Sequence, residues 1–338
     1  MRAGVFQGVG DIAVLEVGDP TCGETDVVIE VASCGVCGTD RSIFRGEYEV
    51  APPMILGHEY VGTVVEVGRS VTRLAIGDRA VVDPNVVDGI CFFCQRGQSH
   101  LCSGLSPLGV GRPGGFAQWS LVPQTYAYPI PDQVPFSDAV LTEPLACCIR
   151  GIDQAKVTVG DVVVVLGAGP IGGLLMQLSR LSGAAFIICV EPAPGRHELA
   201  RRAGADVVCL PGDASGALRE IRGTVGADVV VEASGTLAGA QSTFSLVRRG
   251  GTILLFGVYP QGGDVALSPF HVNEDELRVV GSLNNPNTHS RALELMASGR
   301  LELRGVISHH LPLDDIAFAM DLDNFDRPGK VVIDLLAS

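Results

Sequence analysis

The sequence predicts an α/β protein of two domains, because two stretches of the chain differ in how their apolar residues are spaced. Residues 1–142 contain short Val-rich runs separated by glycine turns, a pattern typical of a β-barrel or β-sandwich. Residues 143–274 alternate apolar strands with helical stretches, which is typical of a doubly wound parallel sheet. The remaining segment, 275–338, is short, and we expect it to complete the first domain.

The elements of the second domain have the clearest boundaries. Val162–Leu166 is a continuous apolar run, as expected for a parallel strand buried on both faces. After it, the pattern predicts helices over 170–181, 195–203 and 236–248, and strands over 186–190, 206–209, 228–231 and 252–256. In the last segment we expect a helix over 290–298 and a strand over 330–334.

Composition excludes several classes of function. Hydrophobic residues make up 46% of the 338 positions, which is typical of a globular chain. The net charge is −14, so neither nucleic acid nor an anionic membrane surface is an expected partner. No apolar run is long enough to span a bilayer, and the first residues read as a strand rather than a signal peptide. Ten cysteines in a chain of this length favour metal ligands and core thiols over disulfides. We therefore expect a cytoplasmic protein.

A glycine-rich turn predicts a dinucleotide site. Gly167-Ala168-Gly169-Pro170-Ile171-Gly172 follows a buried strand and opens a helix, which is the context that G-x-G-x-x-G requires. Gly167 allows a tight turn, Gly169 lets the backbone approach a pyrophosphate at the helix N-terminus, and Gly172 permits close helix–strand packing. The alternative is a glycine turn in an α/β domain that binds no nucleotide.

The end of the next strand bears on the choice of cofactor. Glu191 places a carboxylate where it can accept hydrogen bonds from the adenosine ribose hydroxyls, and it would repel a 2′-phosphate. This favours NAD over NADP. Arg196 follows shortly after and either counters that preference in part or flanks the adenine.

A compact cluster of sulfur ligands predicts a structural zinc site. Asp88, Cys91, Cys94 and Cys102 fall within one short segment, so four ligands can close a tetrahedral site inside a single loop. The alternative is three core or free thiols beside a surface aspartate. With a carboxylate in place of one thiolate, the site is expected to bind zinc more weakly or to be filled in part.

A second set of ligands is scattered along the chain. Cys37-Gly38-Thr39-Asp40, Gly57-His58-Glu59 and Thr142-Glu143-Pro144 supply a thiolate, an imidazole and carboxylates. If they converge, they can hold one zinc ion with an open position for a substrate oxygen. Spacing alone does not show that they converge, and a histidine such as His58 is more often a satisfied, partly buried residue than a ligand.

Together these motifs resemble the zinc-dependent medium-chain dehydrogenase/reductase family over the whole chain. The cysteine lobe, Gly114-Gly115-Phe116-Ala117 and the glycine turn occur in the order that the family shows. The resemblance implies a discontinuous GroES-like β-barrel catalytic domain and a Rossmann cofactor domain. It also implies Cys37 and His58 as catalytic zinc ligands, with Glu59 as an occasional ligand or a neighbour.

The expected third ligand assigns a branch of that family. Glu143 is similar to the glutamate that polyol and sugar dehydrogenases of the sorbitol type carry at this place, whereas liver-type alcohol dehydrogenases carry a cysteine; Cys147 or Cys148 is the alternative here. Three residues depart from the family pattern. Asp88 stands where many members have the first cysteine of the lobe, Ser42 stands where many have a proton-relay histidine, and Asn284 stands near where sorbitol dehydrogenases have a substrate-binding arginine.

The resemblance implies a zinc- and NAD-dependent dehydrogenase that oxidises a secondary alcohol of a polyol, sugar or cyclitol. Thr39 would pass the substrate proton outward. Homodimers or homotetramers are expected, as in other members of the family. The alternatives are a carbonyl reductase or alcohol dehydrogenase with another substrate, a zinc-free NADPH enone reductase, and a nucleotide-binding protein without catalysis.

Overall fold

The computed structural model describes residues 1–223, 225–326 and 329–336. The chain divides into two compact units. The first comprises 1–146, 284–303 and 307–338, and the second comprises 147–283 with 304–306. Among the described residues, we find no helix with the length and apolar character needed to cross a membrane.

Regular elements are numbered in chain order. The strands are β1 (Arg2–Gly8), β2 (Asp11–Glu16), β3 (Asp26–Val36), β4 (Met54–Ile55), β5 (Glu59–Val67), β6 (Arg79–Val82), β7 (Trp119–Pro123), β8 (Ala127–Pro129), β9 (Val162–Leu166), β10 (Phe186–Val190), β11 (Val207–Cys209), β12 (Ala227–Glu232), β13 (Val247–Leu255), β14 (Arg278–Gly281), β15 (Ile307–Pro312) and β16 (Lys330–Asp334). The α-helices are α1 (Gly38–Phe44), α2 (Phe92–Gln95), α3 (Phe136–Ala139), α4 (Thr142–Ala155), α5 (Pro170–Leu181), α6 (His197–Arg202), α7 (Ala214–Arg222), α8 (Leu237–Leu246), α9 (Pro269–Glu274), α10 (His289–Ala297) and α11 (Ile316–Ala319).

The second unit contains a six-stranded parallel sheet in the order β11-β10-β9-β12-β13-β14. The order reverses between β9 and β12, so this is the switch point of a doubly wound fold. Every residue of β9 is buried, as its continuous apolar run predicts. The predicted fold class is confirmed for this unit, and α5 and β10 have the predicted bounds.

The first unit is built on long antiparallel strands. β3 is its central strand and pairs with β5, β7 and β16, while β1 forms a smaller sheet with β2 and β4. The core between them includes Ile29, Tyr60 and Phe116, all fully buried. The hydroxyl groups of Tyr60 and Ser120 share a hydrogen bond of 2.8 Å, which satisfies the polar end of the buried ring.

Two features differ from the expectation. The unit boundaries differ from the expected ones: residues 143–146 belong to the first unit, and residues 275–283 and 304–306 belong to the second, where β14 extends the parallel sheet beside β13. Several short helices are not predicted, namely α1, α2, α3, α7, α9 and α11, and neither is the 14-residue helix α4, whose first turn holds Glu143. Tertiary packing stabilises the short helices, since segments of that length gain little from intrinsic propensity.

Candidate active site and cofactor site

The first half of the candidate metal site is the junction of β3 and α1. Cys37 precedes the first turn of α1, and the fully buried Asp40 of that turn accepts the Cys37 backbone N–H at 2.8 Å. The helix start is thereby fixed by a carboxylate at its N-terminus. The Cys37 Sγ lies 3.9 Å from Thr39 Oγ1, so the thiol and the hydroxyl face the same place.

A glycine with positive φ presents the imidazole. Gly57 has φ of +87°, and a Cβ there would lie 2.7 Å from Cys34 Sγ, so only glycine fits. Its N–H donates to Asp40 Oδ1 at 3.3 Å, and the same oxygen lies 3.4 Å from His58 Nδ1. Asp40 therefore holds the Cys37 backbone and lies beside the His58 imidazole, although Nδ1 of that ring makes no hydrogen bond within the described residues.

A carboxylate near the thiol and the imidazole comes from Glu59, the first residue of β5. Glu59 pairs with Gly35 of β3, while β16 pairs with the other edge of β3 and brings Lys330 to the same place. The Lys330 ammonium donates to both Glu59 oxygens, at 2.8 and 2.6 Å, and both side chains are buried. A Cβ on Gly35 would lie 2.4 Å from Glu59 Oε2, so this glycine makes room for the pair.

The ligand atoms of Cys37, His58 and Glu59 all lie within 4.8 Å of one another. Burial lowers the pKa of the His58 imidazole, but the charges of Asp40 and Cys37 outweigh burial and raise that pKa well above its ordinary value. Negative charge is thus in excess around the imidazole, which a divalent cation would neutralise. One thiolate, one imidazole and one carboxylate suit zinc and leave a fourth position for another oxygen.

Glu143 is not a member of that group among the described residues. It lies in the first turn of α4, and its Oε1 accepts a hydrogen bond of 2.8 Å from Asn285 Nδ2. Glu143 is close enough to the cluster for its charge to act on Lys330. Burial lowers the pKa of that ammonium, whereas Glu59, Cys37 and Glu143 raise it overall.

A buried polar chain continues behind Asn285. Asn285 Oδ1 accepts from Asn85 Nδ2 at 2.8 Å, and Asn85 Nδ2 also donates to Asp83 Oδ1 at 2.9 Å. Asp83 Oδ2 in turn lies 3.5 Å from the buried His289 Nδ1. Asn285 is fully buried, so its amide is fixed by Glu143 and Asn85 rather than by solvent.

The cysteine lobe is built locally. The ligand atoms of Asp88, Cys91, Cys94 and Cys102 lie within 4.8 Å of one another. Asp88 Oδ1 accepts the backbone N–H groups of Ile90 and Cys91, at 2.9 and 3.0 Å. These bonds lower the pKa of Asp88 to about 2, so it is ionised at neutral pH. A carboxylate and three thiols at these distances suit a closed tetrahedral zinc site.

The glycine turn of the second unit has the geometry of a phosphate cradle. Gly167 has φ of +101° and packs on the backbone of Ser234, and a Cβ on Gly172 would lie 2.0 Å from Gly167 O. Gly169 is the N-cap of α5 and Pro170 is its first residue, so Ile171 and the residues after it carry N–H groups toward the turn.

Glu191 follows β10, and its carboxylate contacts the same glycine turn. Its Oε2 accepts the Ala168 N–H at 2.7 Å and its Oε1 accepts the Ala193 N–H at 2.9 Å. The carboxylate is buried, and each oxygen retains a second lone pair for a ribose hydroxyl. Arg196 is partly exposed in the turn before α6.

The chain is similar to known proteins over nearly its whole length. Residues 23–132 match the family model of the alcohol dehydrogenase GroES-like domain, and residues 170–298 match that of the zinc-binding dehydrogenases. D-arabinitol dehydrogenase 1 from Uromyces fabae is 32% identical over 95% of this chain and 93% of its own. The chain belongs to the zinc-dependent medium-chain dehydrogenase/reductase family.

Other relatives span more than one substrate. Sorbitol dehydrogenase from Bacillus subtilis (strain 168) is 30% identical over 95% of this chain and 93% of its own. L-threonine 3-dehydrogenase from Pyrococcus abyssi (strain GE5 / Orsay) is 32% identical over 94% of each chain. A provisionally assigned zinc-binding dehydrogenase from Sinorhizobium meliloti 1021, solved with NADP, has a TM-score of 0.94 at 38% identity over 99% of each chain.

Membership makes the protein a zinc-dependent dehydrogenase, as the motifs predicted. Sequence reasoning missed Lys330 and Asn285, which hold Glu59 and Glu143. The only signal for Lys330 was a cation at the start of a buried strand. Asn285 had a signal in its position beside Asn284, the residue that departs from the family pattern.

Proposed function

We propose that this dehydrogenase oxidises a secondary alcohol of a polyol, sugar or cyclitol to a ketone, with NAD as the hydride acceptor. The observation that carries the proposal is the buried group of Cys37, His58 and Glu59, with Glu143 nearby. Two carboxylates beside one thiolate make a polar, oxygen-rich site suited to a substrate with several hydroxyl groups. The arabinitol and sorbitol dehydrogenases among the relatives support the same class.

Zinc held by Cys37, His58 and either Glu59 or Glu143 would supply a Lewis acid that lowers the pKa of a substrate hydroxyl. Asp40 holds the Cys37 backbone and places its negative charge beside the imidazole. Lys330 holds the Glu59 carboxylate through both oxygens, which leaves its remaining lone pairs for the metal.

The substrate proton leaves through Thr39, whose Oγ1 lies beside the Cys37 thiol. The hydroxyl would accept the substrate proton as it donates its own to a water molecule, so its charge would not change. NAD bound at the glycine turn would supply the acceptor for the hydride of the carbinol carbon, so that the alcohol would become a ketone. Asn285 holds the Glu143 carboxylate in position through the hydrogen bond from its amide nitrogen.

The proposal of NAD rests on Glu191. A buried carboxylate beside the glycine turn disfavours a 2′-phosphate and accepts hydrogen bonds from ribose. Arg196 and the NADP found in the Sinorhizobium relative argue for the other cofactor. Glu191→Gln should therefore narrow the preference for NAD over NADP, measured as the ratio of kcat/KM values. A wild-type enzyme that prefers NADP would contradict this part.

The substrate proposal is tested with zinc-loaded enzyme on a panel of polyols, aldoses, cyclitols, simple secondary alcohols and L-threonine, read by the absorbance of the reduced nicotinamide. The highest kcat/KM is expected for a polyol, sugar or cyclitol. A clear preference for L-threonine or for a simple alcohol would overturn the substrate class and leave the reaction class standing. Cys22→Ala, which removes a thiol outside both clusters, is the control for cysteine substitutions.

A further inference from the structure

We propose that Tyr259 is a positioning residue for the nicotinamide half of the cofactor, acting through the buried carboxylate of Glu232. The inference rests on the proposed NAD-dependent function and goes beyond the glycine turn and Glu191. It starts from a carboxylate that the function described above does not use.

Glu232 ends β12 and is fully buried. Its Oε1 accepts the Ser234 N–H at 2.9 Å and the Ser234 hydroxyl, and its Oε2 accepts the Gly235 N–H at 3.2 Å. Within the described ranges, no cation forms an ion pair with it. Burial of a carboxylate without a cation is costly unless hydrogen bonds satisfy it, so these donors are needed for stability.

Tyr259 supplies the remaining donor. Its hydroxyl donates to Glu232 Oε2 at 2.5 Å. Burial, followed by the Glu232 charge, raises the pKa of this phenol above its ordinary value, so it stays protonated and donates near neutral pH. Tyr259 lies in the loop after β13, and the bond therefore ties that loop to the end of β12.

The backbones of the two loops are also in contact. Phe256 and Gly257 donate their N–H groups to the Glu232 carbonyl, each at 3.0 Å. A Cβ on Gly257 would lie 2.6 Å from both Glu232 Oε2 and Gly235 Cα, and a Cβ on Gly235 would lie 2.9 Å from Val258 O. Glycine at both places lets the loops close on the carboxylate, so the loop from 257 to 260 has one defined position.

That position is on the cofactor side of the sheet. In a doubly wound fold a dinucleotide lies across the carboxyl ends of the strands at the switch point, with one mononucleotide half on each side. Glu191 at the end of β10 marks the adenosine half, and Gly167 packs on Ser234 at the switch point itself. The ends of β12 and β13 therefore face the nicotinamide half.

The held loop has a side chain suited to a ring. Val258 is apolar yet 77% exposed, beside the tethered Tyr259. An exposed branched side chain on a fixed loop can cover one face of a nicotinamide ring. The role assigned to Glu232 and Tyr259 is thus to hold Val258 and the loop backbone where the nicotinamide ring binds.

The test compares two ligands on Tyr259→Phe, namely NADH and ADP-ribose, which lacks the nicotinamide. The variant should bind NADH about tenfold more weakly, as expected for loss of one hydrogen bond to a charged group. Its affinity for ADP-ribose should be unchanged. Both affinities are measured by calorimetry, and the melting temperature shows that the variant is folded. Ser234→Ala, which removes another donor to Glu232, should give the same split.

Tyr126→Phe is the matched control, because it also removes a phenol that holds a loop, here by accepting the Val87 N–H at 3.0 Å in the first unit. It should alter neither affinity. If Tyr259→Phe weakens both ligands equally, or neither, the positioning role is overturned while the proposed function stands. If the wild-type protein binds neither ligand, the proposed function falls as well.

Discussion

The catalytic group, in which His58 and Glu59 are buried, and the cysteine lobe, in which Asp88 is exposed, use similar ligands but are built in opposite ways. Cys37, His58 and Glu59 come from three places in the fold and are held by partners such as Asp40 and Lys330. The lobe closes within residues 88–102, and its main support is backbone N–H donation to Asp88. The buried group therefore depends on the whole barrel, whereas the lobe depends on its own loop.

This difference predicts different costs for the loss of a ligand. A buried group held by charges loses chemistry and stability when one member is removed, because the others remain in a low-dielectric environment. A local, solvent-facing site loses its ion and its local order, while the barrel retains its core.

The largest expected effect is that of Cys37→Ala. It should lower kcat/KM by about 10³-fold or more, since several kcal/mol of transition-state stabilisation are lost with the metal. Zinc content should fall by one equivalent, and NADH should still bind. Activity close to that of Cys22→Ala would rule out the assignment of this cluster.

Lys330→Met should destabilise the protein by about 3–5 kcal/mol, because it leaves the buried Glu59 carboxylate without its cation. Urea unfolding of the metal-free and zinc-loaded protein measures the effect. Arg96→Met is the matched change on the lobe, where the cation is exposed and lies 5.0 Å from the Phe92 ring. Its effect should be within about 0.5 kcal/mol. Equal effects of the two variants would remove the distinction between the regions.

Asn285→Ala should lower either zinc affinity or kcat/KM by about 10- to 100-fold, the usual cost of losing a partner behind a ligand. The Glu143 carboxylate would lose its 2.8 Å donor. Competition with a chromogenic chelator reports zinc affinity separately from turnover. Asn285→Asp, which replaces the donor with a like charge, should be at least as harmful; wild-type behaviour in both variants would show that Glu143 needs no such support.

Cys94→Ser should have the smallest effect on turnover, less than about tenfold, because the lobe supports structure rather than chemistry. It should release one equivalent of zinc and make residues 88–104 more sensitive to limited proteolysis. Loss of activity on the scale of Cys37→Ala would show that the lobe and the catalytic group are coupled.

The sequence by itself determined what depends on local spacing. The all-buried run of β9, the glycine turn that opens α5 and the ligands of the lobe could all be identified, because neighbours along the chain are neighbours in space. That Cys37 and His58 lie close together was a hypothesis supported by the family resemblance. In the structure they are close because β3 pairs with β5. The short helices such as α1 are not predicted, since packing rather than propensity forms them, and α4 is not predicted although it has 14 residues.

Which carboxylate lies nearest the Cys37 thiol and the His58 imidazole depends on contacts between distant parts of the chain. Glu143 was expected as the third ligand, but Glu59 lies within 4.8 Å of the other two and Glu143 lies outside that group, held by Asn285. The ion pair of Glu59 with Lys330 and the hydrogen bond of Tyr259 to Glu232 also could not be predicted from the spacing of residues in the sequence. Their partners meet because β5 and β16 flank β3, and because the loops after β12 and β13 close on a glycine pair. Burial then makes each of these contacts obligatory, since an unpaired charge in the core is too costly to leave.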